Sequence, residues 1–177
     1  MTSISTAATG STSLSELAKR VIAVCAGRGI RLALAESLTG GLLASTLVAV
    51  PGASNVLLFS VVAYHDAAKH QLLGVKTVTL ATFGAVSGQT AEAMASGARV
   101  ALTQVPSIDA KKVIGISTTG VAGPELQEGK AVGTVFVGLA LDAAVSSRQL
   151  ALSGDRETIR TETVRAALLA LLEEIAG

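Results

Sequence analysis

The stretch RLALAESLTGG, residues 31–41, decides the fold of this chain. Leucine occupies every second position of residues 31–35, an alternation typical of a strand, and residues 36–41 are typical of a turn. Residues 42–50 then favour a helix, which Pro51-Gly52 stops. Because a strand that leads through a short turn into a helix begins a parallel crossover, the stretch predicts an α/β fold.

The rest of the sequence alternates between helical and extended patterns. Ser13 and Glu16 have the spacing of a capping box, and the helix that they begin should end at Gly27 or Gly29. Further helices are predicted over residues 66–74, 78–83, 87–104 and 155–176, with Asp66, Ser87 and Asp155 as N-caps. Further strands are predicted over residues 56–64, 113–117, 132–141 and 147–152, with a loop over residues 118–130.

The order of these elements predicts a mixed sheet. Helices separate the early strands, which favours parallel neighbours, whereas the short turn before residue 147 favours a late antiparallel pair. We therefore expect a mixed, mainly parallel sheet with helices on both faces. Residues 13–177 should form one domain, and the polar, Ser/Thr-rich residues 1–12 should form a disordered tail.

Composition excludes several classes of function. Hydrophobic residues make up 50% of the 177 residues, aromatic residues 2%, and the net charge is +1, so a nucleic-acid-binding surface is not expected. Cys25 is the single cysteine, which excludes an internal disulfide and fits a cytoplasmic location. No apolar run approaches the ~20 residues that span a bilayer. With two histidines and one cysteine, a zinc site is not expected.

The turn from Glu36 to Gly41 is the first candidate site. Ligands of open α/β sheets bind at the carboxyl ends of strands, and a helix that starts at Gly40-Gly41 offers backbone N–H groups. Those groups could hold an oxyanion beside a nucleophilic Ser37, or they could hold a phosphate. The alternative is an ordinary turn in which Ser37 or Thr39 caps the helix.

Tyr64, His65 and Lys69 form the second candidate site. Lys69 lies one turn into a predicted helix, where a neutral lysine could act as base for a serine hydrolase. His65 could instead be the base. The alternative is that Lys69 is solvated and Tyr64 merely anchors a strand.

Two further segments could bind a ligand. Thr119-Gly120 and Gly123 follow a predicted strand, and small residues there would let a ligand approach the backbone. Arg156 and Arg160 are one turn apart on the last helix, where they could bind a phosphate. The alternative for the first segment is an ordinary turn, and the alternative for the two arginines is that they are solvated surface charges.

In this order along the chain, these motifs resemble the C-terminal domain of the CinA family, the nicotinamide-nucleotide amidases. The resemblance extends from about Leu17 to Leu172. The matching motifs are Ala35-Glu36-Ser37 with Thr39-Gly40-Gly41, Pro51-Gly52-Ala53-Ser54, Tyr64 with Ala68-Lys69, Leu73-Gly74-Val75, Gly84-Ala85-Val86-Ser87, Thr119-Gly120 with Ala122-Gly123-Pro124, Val132-Gly133-Thr134-Val135 and Gly154-Asp155-Arg156-Glu157. Any one of these motifs is weak, but eight in order are highly specific.

The resemblance implies a three-layer α/β/α sandwich that hydrolyses nicotinamide mononucleotide to nicotinate mononucleotide and ammonia. By motif position, Ser37, Lys69 and Tyr64 would be catalytic. The substrate-binding residues would be Glu36, Thr39, Gly40, Gly41, Thr119, Gly120, Gly123 and Arg156. The resemblance implies no metal or cofactor, and it suggests a homo-oligomer that acts on a small nucleotide, without a nucleic-acid or membrane partner.

The chain departs from the family pattern at three places. Leu38 stands where cysteine is common, His65-Asp66 where Ser-Asn is common, and residues 125–130 replace a glycine-rich loop. The last two changes lie near the proposed site and could alter substrate preference or repel a phosphate. A non-catalytic nucleotide-binding or interaction module of the same fold is therefore the alternative function.

Overall fold

A computed structural model describes residues 12–142 and 144–176 of the chain. The tail predicted over residues 1–12 lies, apart from Thr12, outside the described residues. Within them, five strands form one mixed sheet in the order β2-β1-β3-β4-β5. The strands are β1 (Arg31–Glu36), β2 (Leu57–Val62), β3 (Val113–Gly120), β4 (Thr134–Ala140) and β5 (Val145–Ala151).

Parallel and antiparallel pairing divide the sheet as the sequence predicts. β1 pairs in parallel with both β2 and β3, whereas β4 is antiparallel to both of its neighbours, β3 and β5. Four of the five strands in the described residues therefore point in the same direction. The sheet is mixed and mainly parallel, as expected.

Six α-helices flank the strands in the described part of the chain. They are α1 (Leu14–Arg28), α2 (Leu42–Val48), α3 (Asp66–Leu73), α4 (Thr77–Phe83), α5 (Gly88–Thr103) and α6 (Arg156–Ala176). The capping box of Ser13 and Glu16 begins α1, and Gly29 ends it in a left-handed conformation. Ser87 caps α5, and the Asp155 carboxylate accepts from Thr158 N–H at 2.8 Å. Hydrogen bonds from the Thr158 hydroxyl and N–H lower the pKa of Asp155.

Two hydrophobic cores place helices on both faces of the sheet. One core joins α1, α2 and α6 to the sheet through residues such as Leu17, Leu47 and Leu168. The other joins α3 and α5 through Leu73 and Met94. The three-layer α/β/α sandwich is therefore confirmed. No helix of the described residues is long and apolar enough to cross a membrane.

Two strand glycines let α5 approach the centre of the sheet closely. A Cβ atom added at Gly115 of β3 would lie 2.1 Å from the Ala95 carbonyl oxygen of α5. One added at Gly138 of β4 would lie 2.5 Å from the Ala91 carbonyl oxygen. These positions exclude any side chain, because both obstacles are backbone atoms.

Two local predictions were wrong. Residues 118–120 were predicted as loop but continue β3, since β4 pairs with them through Gly120 and Val135. Asp66 was predicted to cap α3, but His65 is the N-cap, because its Nδ1 accepts from Ala67 N–H at 3.1 Å. Asp66 is instead the first residue of the helix.

Candidate functional site

The carboxyl ends of three parallel strands meet at one edge of the sheet. Glu36, the last residue of β1, is in register with Val62 of β2 and Thr118 of β3. The next residues along the three strands therefore converge. The chain leaves β1 for α2 on one face of the sheet, and it leaves β2 for α3 on the other face. Ligands of α/β proteins bind at such a switch point.

A cavity of about 110 Å³ opens at this edge. It is smaller than the ~300–1,000 Å³ of a typical ligand pocket, so only part of a nucleotide could enter it. Seven of the predicted site residues line it, namely Ser37, Tyr64, Lys69, Thr119, Gly120, Gly123 and Arg156. The other four predicted residues, Glu36, Thr39, Gly40 and Gly41, lie beside the cavity and not in its wall.

Ser37 is the first residue after β1. Its side chain is 8% exposed, and its backbone N–H donates to the Thr118 carbonyl at 2.9 Å. Among the described residues, no hydrogen bond engages the Ser37 hydroxyl. Ser37 therefore has a fixed backbone and a hydroxyl that is free to contact a ligand in the cavity.

Glu36 has a structural contact that sequence reasoning missed. Its carboxylate is fully buried and accepts from Gly41, Leu43 and Ala44 N–H groups at 2.9, 3.1 and 2.8 Å. These N–H groups belong to the start of α2. Neither Ser37 nor Thr39 caps this helix, although either was a candidate cap. The buried carboxylate stabilises the helix N-terminus, and it uses N–H groups that could otherwise have bound an anionic ligand.

Two of the backbone N–H groups predicted around Thr39-Gly40-Gly41 to bind an anion are therefore already engaged. Gly41 N–H is bound by Glu36, and Gly40 N–H donates to the Ser37 carbonyl at 3.1 Å. In the described part of the chain, the N–H groups of Leu38 and Thr39 have no partner. Of these two residues, only Leu38 lines the cavity, whereas Thr39 is fully buried. Leu38 N–H directly follows Ser37, as in an oxyanion hole that uses the residue after the nucleophile.

Lys69 is 2% exposed, which rules out the alternative of a solvated lysine. Its Nζ donates to the Tyr64 carbonyl at 3.1 Å and to Asp66 Oδ1 at 3.2 Å. No hydrogen bond joins Lys69 Nζ to the Ser37 hydroxyl in the described residues, although both residues line the cavity. The two contacts account for two hydrogens of the amine, which leaves its third position for a group in the cavity.

Tyr64 and Arg156 form the outer part of the cavity wall. The Tyr64 side chain is exposed, and its hydroxyl accepts from Arg156 Nη2 at 2.9 Å. Arg156 Nη1 also donates to the Gly123 carbonyl at 2.7 Å. The hydroxyl keeps its own proton for donation, and the guanidinium keeps further N–H groups for a ligand.

Two residues that the sequence offered as alternatives have other partners. His65 uses Nδ1 as the N-cap of α3 and does not line the cavity. Arg160 donates to the carbonyls of Leu38 and Thr39 at 3.2 and 2.7 Å. Arg156 and Arg160 therefore do not form a shared phosphate clamp, because only Arg156 reaches the cavity.

Glu128 anchors a loop of the cavity wall, which sequence reasoning did not foresee. Its carboxylate accepts from Ala85 N–H at 3.0 Å and Val86 N–H at 3.3 Å, and Lys130 Nζ lies 3.6 Å away. Burial alone would raise the pKa of Glu128, but these hydrogen bonds and the Lys130 charge lower it overall. A Cβ added at Gly84 would lie 2.2 Å from Glu128 Oε2, so glycine makes room for the carboxylate.

The lowered pKa of Glu128 predicts an acid-sensitive loop. The Glu128 carboxylate stabilises the loop fully above its unfolded-state pKa of ~4.3. This stabilisation is lost as pH falls through the lower pKa of Glu128 in the folded state. Glu128→Gln should reproduce the acid form at pH 7, speeding amide exchange at Ala85 and Val86 about 3- to 10-fold because the partly exposed contact is screened. Glu125→Gln is the control, since Glu125 also lines the cavity but no described residue forms a hydrogen bond with its carboxylate. Unchanged exchange in Glu128→Gln would contradict the prediction.

Within residues 12–142 and 144–176, no group of three or more His, Cys, Asp and Glu side chains is arranged to hold a metal ion. The donors that line the cavity include hydroxyl groups, an amine, a guanidinium and the Gln127 amide. Such a set suits an organic anion or a polar carbonyl compound.

Comparisons with known proteins agree with the resemblance in the sequence. Residues 14–175 match the family model described as the CinA C-terminal domain. A competence-damage inducible protein of Desulforamulus reducens is 47% identical over 140 residues, covering 79% of this chain and 32% of the relative. A CinA-like protein of Frankia casuarinae is 44% identical, covering 89% of this chain and 34% of its own length. The chain thus spans about a third of the length of the curated relatives that it matches.

Solved structures also resemble the fold. A crystal structure of a competence-damaged protein (CinA) superfamily member from Klebsiella pneumoniae has a TM-score of 0.85 and 34% sequence identity. The match covers 93% of this chain and 99% of that protein chain. Unlike the longer curated relatives, this structure therefore corresponds to the whole domain described above.

Proposed function

Because the chain belongs to the family of CinA C-terminal domains, we propose that it is an amidohydrolase that converts nicotinamide mononucleotide to nicotinate mononucleotide and ammonia. The observation that carries the proposal is one cavity lined by Ser37, the buried Lys69 and Tyr64. A hydroxyl nucleophile, an amine base and a phenol acid are sufficient for acyl transfer without a metal.

The reaction begins when the neutral Lys69 amine takes the proton of Ser37 as the hydroxyl oxygen attacks the carboxamide carbon. The contacts of Lys69 with the Tyr64 carbonyl and Asp66 orient the amine, because they engage two of its hydrogens and leave its third position for a group in the cavity. The oxygen of the tetrahedral intermediate then accepts from the Leu38 N–H group, which directly follows Ser37.

Collapse of the intermediate breaks the carbon–nitrogen bond. The Tyr64 hydroxyl donates its proton to the departing amide nitrogen, which leaves as ammonia, and Tyr64 becomes a phenolate. Water then attacks the Ser37 ester and gives a proton to the Tyr64 phenolate, while Lys69 returns its proton to the Ser37 oxygen, and nicotinate mononucleotide leaves. The small cavity takes the carboxamide end, while the phosphate lies outside near Arg156.

The decisive experiment is the release of ammonia from nicotinamide mononucleotide by the purified chain. Turnover supports an enzyme, whereas binding of the nucleotide without ammonia release would support the non-catalytic module. We also expect a homo-oligomer in the cytoplasm, which sedimentation velocity and cell fractionation would test.

Substrate choice should depend on Arg156. Arg156→Ala is expected to raise KM for nicotinamide mononucleotide about 10- to 100-fold, as for loss of a charged hydrogen bond of ~1.5–3 kcal/mol. Nicotinamide riboside, which lacks the phosphate, should be a poor substrate of the unmodified protein. Arg148→Ala is the matched control, because Arg148 lies on β5 and pairs with Glu173 away from the cavity. Equal use of riboside and mononucleotide would contradict the assignment of Arg156.

A further inference from the structure

Asp66 contacts the amine of Lys69 at the start of α3. Its Oδ1 accepts from Lys69 Nζ at 3.2 Å, so the two residues form an ion pair across one turn of the helix. The Lys69 side chain is buried, whereas that of Asp66 is 49% exposed. Asp66 does not line the cavity, so it reaches the reacting atoms only through Lys69, which does.

This carboxylate opposes one requirement of the proposed reaction. The Lys69 amine must be neutral before it can take the proton of Ser37. An opposite charge within ~4–6 Å favours the charged form of its partner and typically moves a titration by about 1–3 pH units. Burial favours the neutral amine instead. The fraction of Lys69 that can act as base therefore depends on the charge of Asp66.

In the described part of the chain, Asp66 is the one charged side chain that forms a hydrogen bond with Lys69 Nζ. Three other ionisable side chains line the same cavity without such a bond: Tyr64, Glu125 and Arg156. The histidines of α3, His65 and His70, have backbone partners. Of the elements that share a core with α3, β2 and β3 carry no charged residue. Those of β1 and α5 have partners elsewhere: Arg31, Glu36, Glu92 and Arg99.

We infer that Asp66 is a positioning residue that sets the pH range of the reaction, because its carboxylate orients the Lys69 amine and holds it in the ammonium form until the pH rises. The inference rests on the proposed function and specifies how its base is controlled. It also gives a role to one of the residues at which the chain departs from the family pattern.

The test is the pH dependence of kcat/KM for ammonia release by Asp66→Asn. Asparagine keeps an oxygen that can accept from Lys69 Nζ, but it removes the charge. We expect the acid limb to move about one pH unit lower, at the small end of the range because Asp66 is partly exposed. On that limb, kcat/KM should be about 10-fold higher than in the unmodified protein. On the plateau it should stay within about threefold, because the orienting contact remains.

Two further variants separate the charge of Asp66 from its shape. Asp66→Glu keeps the charge, so its acid limb should stay within about half a pH unit of that of the unmodified protein. Asp66→Ala removes both the charge and the acceptor, so the limb should move as in Asp66→Asn while kcat on the plateau falls at least about threefold. Asp142→Asn is the matched control and should leave the profile unchanged, because Asp142 pairs with Arg99 away from the cavity.

A second measurement separates this inference from the proposed substrate. A fluorophosphonate probe phosphonylates an activated serine: Ser37 Oγ bonds to phosphorus, the P–F bond breaks, fluoride leaves, and the serine proton goes to Lys69. This step needs the same neutral amine. The rate of Ser37 labelling, followed by intact mass, should therefore show the same acid limb and the same displacement in Asp66→Asn, whether or not nicotinamide mononucleotide is the substrate.

Each outcome decides one of the two statements. If the unmodified chain releases no ammonia but Ser37 is labelled, the substrate proposal fails and the labelling profiles judge Asp66. An acid limb that moves by less than about 0.3 pH unit in Asp66→Asn overturns the inference, as does an equal loss of rate at every pH, which indicates a merely structural role. Absence of both ammonia release and labelling overturns both statements. If Asp66→Asn does not fold, the same profiles are measured for Asp66→Ala, with a folded state verified by its melting temperature.

Discussion

Replacement of Ser37 by alanine is expected to lower kcat for ammonia release by about 10³-fold or more. The proposed reaction requires an oxygen nucleophile at the end of β1, and alanine removes it. Folding should be unaffected, because the Ser37 hydroxyl has no hydrogen-bond partner among the described residues and the backbone contact with Thr118 remains. Steady-state assays with nicotinamide mononucleotide and thermal melts measure the two effects.

Ser45→Ala provides the matched control for that variant. Ser45 is an exposed residue of α2, so its replacement should leave both kcat and the melting temperature unchanged. Intact mass should detect an acyl adduct on the unmodified protein but not on Ser37→Ala. Near-normal ammonia release by Ser37→Ala would exclude Ser37 as nucleophile.

Lys69→Arg is expected to be nearly as inactive as Lys69→Ala, with kcat about 10³-fold below that of the unmodified protein. Arginine keeps the positive charge and the hydrogen-bonding capacity, but it does not deprotonate near neutral pH and so cannot act as base. Because the Lys69 side chain is buried, Lys69→Met serves as a folded, uncharged variant of similar length. Ammonia release and thermal melts are measured for all three.

His65→Ala is the control that separates the two candidate bases. Loss of the His65 N-cap should cost about 1 kcal/mol of stability, yet most of the activity should remain. An inactive His65→Ala together with an active Lys69→Arg would replace the serine–lysine pair by a serine–histidine pair.

The fold could be predicted from the sequence because local signals and tertiary contacts agree over most of the chain. The alternation before Glu36 and the glycines after it predicted β1 and the turn, and Ser13, Ser87 and Asp155 marked helix starts correctly. The strand end at Gly120 could not be predicted. Gly120 and the small residues after it are typical of a loop, and only pairing with the distant β4 extends the strand through residues 118–120.

The site was harder to predict because hydrogen-bond partners are set by tertiary structure. The sequence indicated which residues lie near the cavity, but it placed the anion-binding N–H groups around Thr39-Gly40-Gly41, where those of Gly40 and Gly41 have other partners. A carboxylate at the end of a buried strand is costly unless it is paired, and this was the one available sign that Glu36 serves the helix terminus. Likewise, helical spacing grouped Arg156 with Arg160, although their guanidiniums reach different backbone segments.

The close contact between α5 and the sheet also determines where this domain can be re-engineered. Side chains are excluded at Gly115 and Gly138, and a Cβ at Gly97 would lie 2.0 Å from the Leu73 carbonyl oxygen. A library that varied these glycines would shift α5 and, through its cap Ser87, the Ala85–Val86 wall of the cavity. Residues 124–127 are exposed, and two of them, Glu125 and Gln127, line the cavity. Selection for new amide substrates should therefore vary this loop and keep the central glycines constant.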